Sequence, residues 1–120
     1  AAQGLGAAFA QALAKAGASV VAGDLAGTAA TCASIEASGG SALGVNLDVI
    51  DPACIAEMLK QIREKFGVVD IFVNNAAIAG QLKLQRITEI STAEWDRVLM
   101  VNVRGTFECI KAVAPVMKHR

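Results

Sequence analysis

An α/β fold built on a doubly wound parallel sheet is what the sequence predicts, and three observations lead there. Apolar residues recur at helical spacing in some stretches and form short unbroken runs in others, and the two patterns alternate along the chain. Glycines stand where each helical stretch should stop. Three successive apolar runs end in polar residues, at Asp24, Asp48 and Asn74-Asn75.

The first helix is read from Leu5, Phe9, Ala12, Leu13 and Ala16, with Gly17 as its stop. Residues 18–23 follow as an apolar run without polar alternation, which fits a strand covered on both faces. A second helix spans about Thr28 to Ser38 and is stopped by Gly39-Gly40. A second strand is expected from Ser41 to Leu47. Asp51-Pro52 marks a helix start, because the carboxylate can accept from free backbone N–H groups and proline suits the first helical position. Ile55, Met58, Leu59, Ile62 and Phe66 then share one face, up to Gly67. Residues 70–74 are predicted as a third strand, followed by a loop carrying Gly80. Ser91-Thr92-Ala93-Glu94 has the form of a capping box. It opens a long helix with Trp95, Val98, Leu99, Val103, Phe107 and Ile110 on its apolar side, and Pro115 is expected to bend or weaken its last turn. Helix and strand in alternation imply parallel strands joined by right-handed crossovers.

Composition narrows the function. With 120 residues the chain makes one domain at most, and 54% hydrophobic residues supply a core. The net charge is zero and the charges are dispersed, so neither a nucleic-acid stripe nor a charged tail is expected. The apolar runs are too short to span a membrane. Cys32, Cys54 and Cys109 are widely spaced and His119 is the one histidine, which fits reduced thiols in a cytoplasmic protein and no metal site.

In a doubly wound sheet, ligands bind beyond the carboxyl ends of the strands. Gly4-Leu5-Gly6 precedes the first helix, where small residues let a backbone approach a pyrophosphate and helix N–H groups face its charge. Asp24 lies 18 residues beyond Gly6, at the end of the next strand. A carboxylate there can accept from the hydroxyls of an adenosine ribose and would repel a 2′-phosphate. Leu25 follows it, and residues 1–5 hold no Arg or Lys, so NAD is favoured over NADP. Asn102 lies mid-helix near the apolar face, where either a catalytic role or an amide satisfied by neighbouring backbone is open.

These residues together resemble the short-chain dehydrogenases/reductases. Ala1-Ala2-Gln3-Gly4-Leu5-Gly6 resembles the tail of their T-G-x-x-x-G-x-G loop. Leu47-Asp48-Val49 resembles the acidic pair that contacts adenine. Asn74-Asn75-Ala76-Ala77 resembles N-N-A-G, with Ala77 in place of Gly, and Val101-Asn102-Val103 resembles the V-N-V segment whose Asn joins the catalytic set. The resemblance implies a Rossmann-like sheet, incomplete here, and residues 1–120 as a partial dinucleotide-binding domain. It implies that Gly4, Leu5, Gly6, Asp24, Leu25, Asp48, Val49, Asn75, Ala76 and Ala77 hold the cofactor and that Asn102 holds a water in a proton relay. A first strand before the glycines, and a Ser and a Tyr-x-x-x-Lys pair beyond the last helix, are implied but not in the sequence, which has no Tyr and does not begin with Met. The chain is therefore expected to be part of a longer enzyme, a homodimer or homotetramer, that moves a hydride between nicotinamide and a carbonyl or secondary alcohol. It is expected to be inactive alone. The implied strand order also predicts that 41–47 pairs in parallel with 18–23, and that 18–23 forms no ladder with 70–74. A Rossmann-type S-adenosylmethionine-dependent methyltransferase and a non-catalytic nucleotide-binding relative are the alternatives.

Overall fold

The computed structural model describes residues 1–78 and 84–117. Gly80, His119 and Arg120 lie outside these. Helix α1 (Gly4–Lys15) leads to strand β1 (Val20–Asp24), helix α2 (Ala29–Ala37), strand β2 (Ala42–Asn46) and helix α3 (Pro52–Lys65). A 3₁₀ turn (Ile87–Glu89) precedes helix α4 (Thr92–Leu99). A π-helical turn (Met100–Gly105) then joins α4 to helix α5 (Thr106–Met117).

The helix stops fall where the glycines predict them. Gly17, Gly39 and Gly67 stand just beyond α1, α2 and α3 with φ of +93°, +81° and +84°, the left-handed conformation that a side chain disfavours. Pro52 is in the first turn of α3, and the Asp51 carboxylate accepts from the Ala53 N–H at 2.8 Å.

Strands β1 and β2 pair in parallel, from Val20↔Ala42 to Asp24↔Asn46. Alternation along the strands sends side chains to two faces. Val20 and Ala42 pack with Ala10 of α1 and Ile35 of α2. Val45, with Val21 and Leu43 beside it, packs on the other face against Ile55, Met58 and Ile62 of α3 and Cys109 and Val113 of α5. Ile35 and Ile55 are each 2% exposed, and full burial of such a side chain contributes about 1.5–3 kcal/mol.

Four expectations are corrected. Residues 71–78 form neither helix nor strand, and no ladder joins 70–74 to β1. A strand exists through its pairing, and among the described residues no strand is paired with this segment; the absence of a ladder to β1 agrees with the strand order above. The long helix is not one α-helix, because the π turn interrupts it. Its expected apolar side is largely exposed: Trp95, Leu99, Val103, Phe107 and Ile110 face outward, while Gly105, Cys109 and Val113 turn to the core. Helical spacing identifies an apolar stripe but not what covers it. Finally, the capping box is half made. Ser91 Oγ accepts from the Glu94 N–H at 3.1 Å, but the Glu94 carboxylate accepts from the Gln85 amide at 2.7 Å. Pro115 is accommodated inside α5, which runs on to Met117.

Candidate functional site

The site begins at the start of α1. Gly4 has φ +58°, and a Cβ built on it would meet nothing within 4 Å. The Gln3 side chain makes no capping hydrogen bond and the first turn carries no acid. The helix therefore presents free N–H groups and a positive dipole end without an internal anion. Leu5 beside them is 71% exposed. Gly6 is buried, and a Cβ there would lie 2.7 Å from Asn75 Nδ2. A Cβ there would displace the Asn75 amide and lie 3.0 Å from Ala1 Cα.

Asp24 closes β1 and ties the same loop. Its Oδ2 accepts from the Ala2 N–H at 2.8 Å and from the Ala1 ammonium at 2.6 Å, and its Oδ1 accepts from the Ala26 N–H at 3.0 Å. Burial pushes the carboxyl up, but in residues 1–120 alone the bonds from Ala2, the terminal ammonium and Ala26, with that ammonium's charge, outweigh it and hold the pKa at about 2. Asp24 is thus an anion at any physiological pH. Leu25 beyond it is exposed.

Asp48 and Val49 lie just beyond the end of β2. Asp48 Oδ1 accepts from the Ile50 N–H at 3.1 Å, an Asx turn that redirects the chain toward α3. Val49 packs on the π turn, where a Cβ built on Gly105 would lie 2.5 Å from Val49 Cγ2. Within that turn, Asn102 Oδ1 accepts from the Ile78 N–H at 2.8 Å, and Asn102 Nδ2 donates to the Ile78 carbonyl at 3.1 Å. Ala76 and Ala77, just before Ile78, are exposed.

The four motif segments therefore form one run of direct contacts. Ala2 meets Asp24, Gly6 meets Asn75, Ile78 meets Asn102, and Gly105 meets Val49. Three participants escaped the sequence reading. Thr31, 4% exposed, donates its hydroxyl to the Ala1 carbonyl at 2.9 Å, and its one signal was a hydroxyl on a buried helix face. The backbone of Ile78 and the small volume of Gly105 leave no trace in periodicity at all. Among the described residues no group of three or more His, Cys, Asp and Glu could hold a metal, and no helix is long and apolar enough to cross a membrane.

Comparison with known proteins places the fold and the family. Residues 1–120 match the family described as enoyl-(acyl carrier protein) reductase. Galactitol 2-dehydrogenase of Agrobacterium fabrum is 44% identical over 100% of the chain and 45% of its own length. The 3-oxoacyl-[acyl-carrier-protein] reductase FabG of Escherichia coli is 37% identical over 100% of the chain and 48% of its own length. The chain thus spans about half the length of these curated relatives. A solved dehydrogenase/reductase from Sinorhizobium meliloti superposes with a TM-score of 0.88 at 30% identity, covering 97% of the chain and 46% of that structure. A mutant short-chain dehydrogenase/reductase from Serratia marcescens gives 0.86 at 33% identity, covering 97% and 47%. Motifs, fold and relatives converge: the chain belongs to the short-chain dehydrogenase/reductase family.

Proposed function

We propose that this chain is the nucleotide-binding part of a longer NAD(H)-dependent oxidoreductase acting on a small carbonyl compound or secondary alcohol. The observation that carries the reading is the run of contacts that gathers all four motif segments beside an uncapped helix start. When bound, the dinucleotide supplies hydride chemistry at its nicotinamide ring.

The residues present fit that group. The free N–H groups of α1 would hold the pyrophosphate, with Gly4 and Leu5 exposed to it and Gly6 keeping the loop against Asn75. Asp24 would accept from the adenosine ribose. Its three donors leave carboxylate lone pairs free, and its charge would repel a 2′-phosphate. Asp48 and Val49 would border the adenine, and Asn75, Ala76 and Ala77 the ribose on the nicotinamide side. Both ends of the Asn102 side chain are engaged by Ile78, so its share in a water relay would fall to its main-chain carbonyl. The exposed stripe Trp95, Leu99, Val103, Phe107 and Ile110 would pair with a second copy. A cytoplasmic location and the absence of membrane or nucleic-acid partners belong to the same reading.

The test is equilibrium binding to the full-length enzyme. NADH is expected to bind at least about tenfold more tightly than NADPH, the worth of one charge-assisted hydrogen bond. Asp24→Ala with Leu25→Arg should reverse the preference. Equal affinities in the wild type would overturn the assignment of Asp24.

A further inference from the structure

We propose that Thr106 is a positioning residue for Asn102, its hydroxyl holding the Asn102 carbonyl and the wide helical turn that contains it. The proposal rests on the reading of Asn102 given above. It starts from a local anomaly. A π turn takes its N–H groups one residue further back than an α-helix does, and such turns occur singly inside α-helices and at functional sites. Here the turn spans Met100–Gly105 and Asn102 lies within it.

A carbonyl in such a turn loses the regular α-helical pattern and needs another donor if water is kept away. Thr106 supplies one: its Oγ1 donates to the Asn102 carbonyl at 3.0 Å, in a half-buried setting. A threonine hydroxyl reaches back four residues in this way at little rotamer cost. Asn102 is then held at three atoms. Ile78 takes Oδ1 and Nδ2 of the side chain, and Thr106 takes the main-chain oxygen. Gly105 against Val49 closes the next position. A carbonyl oxygen has two lone pairs, so the Thr106 hydroxyl fixes one direction and leaves the other for a water.

Without the hydroxyl, the turn loses the bond that favours its extra width. Return to regular α register would turn the upstream helix by roughly 100°, the rotation of one residue, and carry Asn102 away from Ile78. The hydroxyl of Thr106 is therefore tied to the direction of the Asn102 carbonyl rather than to the core, which α5 reaches through Cys109 and Val113.

The experiment compares Thr106→Val, Thr106→Ser and Asn102→Ala in the full-length enzyme, by steady-state kinetics across pH. Thr106→Val keeps the shape and removes the donor. It should lower kcat roughly tenfold, the worth of one hydrogen bond, with KM for NADH unchanged and the pH profile of kcat displaced. Thr106→Ser restores the hydroxyl and should restore both kcat and the profile. Equal impairment in the Val and Ser variants would overturn the proposal, because packing would then be the cause. A Val variant with wild-type kcat while Asn102→Ala is impaired would overturn it and leave the Asn102 reading intact. Wild-type kcat in both Asn102→Ala and Thr106→Val would remove that reading and the proposal with it.

Discussion

Helices α1 and α3 both carry the chain between layers of the fold, yet they begin in opposite ways. At α3, Asp51 accepts from the Ala53 N–H and Pro52 occupies the first turn, so the helix supplies its own anion. At α1, a left-handed glycine replaces the proline and the Gln3 side chain caps nothing. The closed start puts local stability first, whereas the open one leaves its donors without a side-chain partner. Bonds that would have capped α1 are displaced to its flank, where Asp24 and Thr31 grip the backbone of Ala1 and Ala2.

The sharpest break of this contrast is at the glycines. Gly6→Ala in the full-length enzyme must push Asn75 aside, because its Cβ would lie 2.7 Å from Nδ2. Loss of NADH affinity by roughly ten- to a hundredfold is expected, as for one charge-assisted hydrogen bond to the pyrophosphate. Titration of cofactor fluorescence measures it, and wild-type affinity would end the claim that this contact orders the site. Gly105→Ala comes next. With a Cβ only 2.5 Å from Val49 Cγ2, overpacking should cost about 1–3 kcal/mol in chemical denaturation.

Ser91→Ala removes a cap of the closed kind, from α4. It should cost about 1 kcal/mol of stability and leave the NADH Kd unchanged. A change in Kd would show that closed and open starts are not separable in this protein. The smallest effect is on pH. In residues 1–120 alone, where the Ala1 ammonium adds to the Ala2 and Ala26 donors, the folded Asp24 carboxyl sits at about 2 against an ordinary 3.8. Its contribution to stability is complete above the ordinary value and is lost as pH falls from about 4 toward 2. Asp24→Asn should flatten acid unfolding in that window, and an unchanged acid limb would refute the coupling.

The sequence makes the alternation of helices and strands legible, because helix period, glycine stops and the Asp51-Pro52 start are all local signals. Strands β1 and β2 were readable for the same reason. The segment 70–74 was not, since a strand depends on a partner that no local pattern specifies. The exposed face of α4 and α5 misled for a related reason: an apolar stripe does not say what, within the chain, it packs against. Within the candidate site, the motif segments stand in the sequence but the contacts that join them do not. Nothing near Asn102 announces Ile78 as its partner, 24 residues away, and the π turn arises from packing rather than propensity.

The fit of Gly105 against Val49 has a consequence across species. Two positions that share one volume cannot drift independently. In relatives of this chain, a residue larger than glycine at the place of Gly105 should be accompanied by one smaller than valine at the place of Val49, and the paired change should be commoner than either alone. The two sites lie 56 positions apart in the sequence. Statistical coupling between them would therefore record the pressing of the loop after β2 onto the helix that carries Asn102, in molecules whose structures have never been determined.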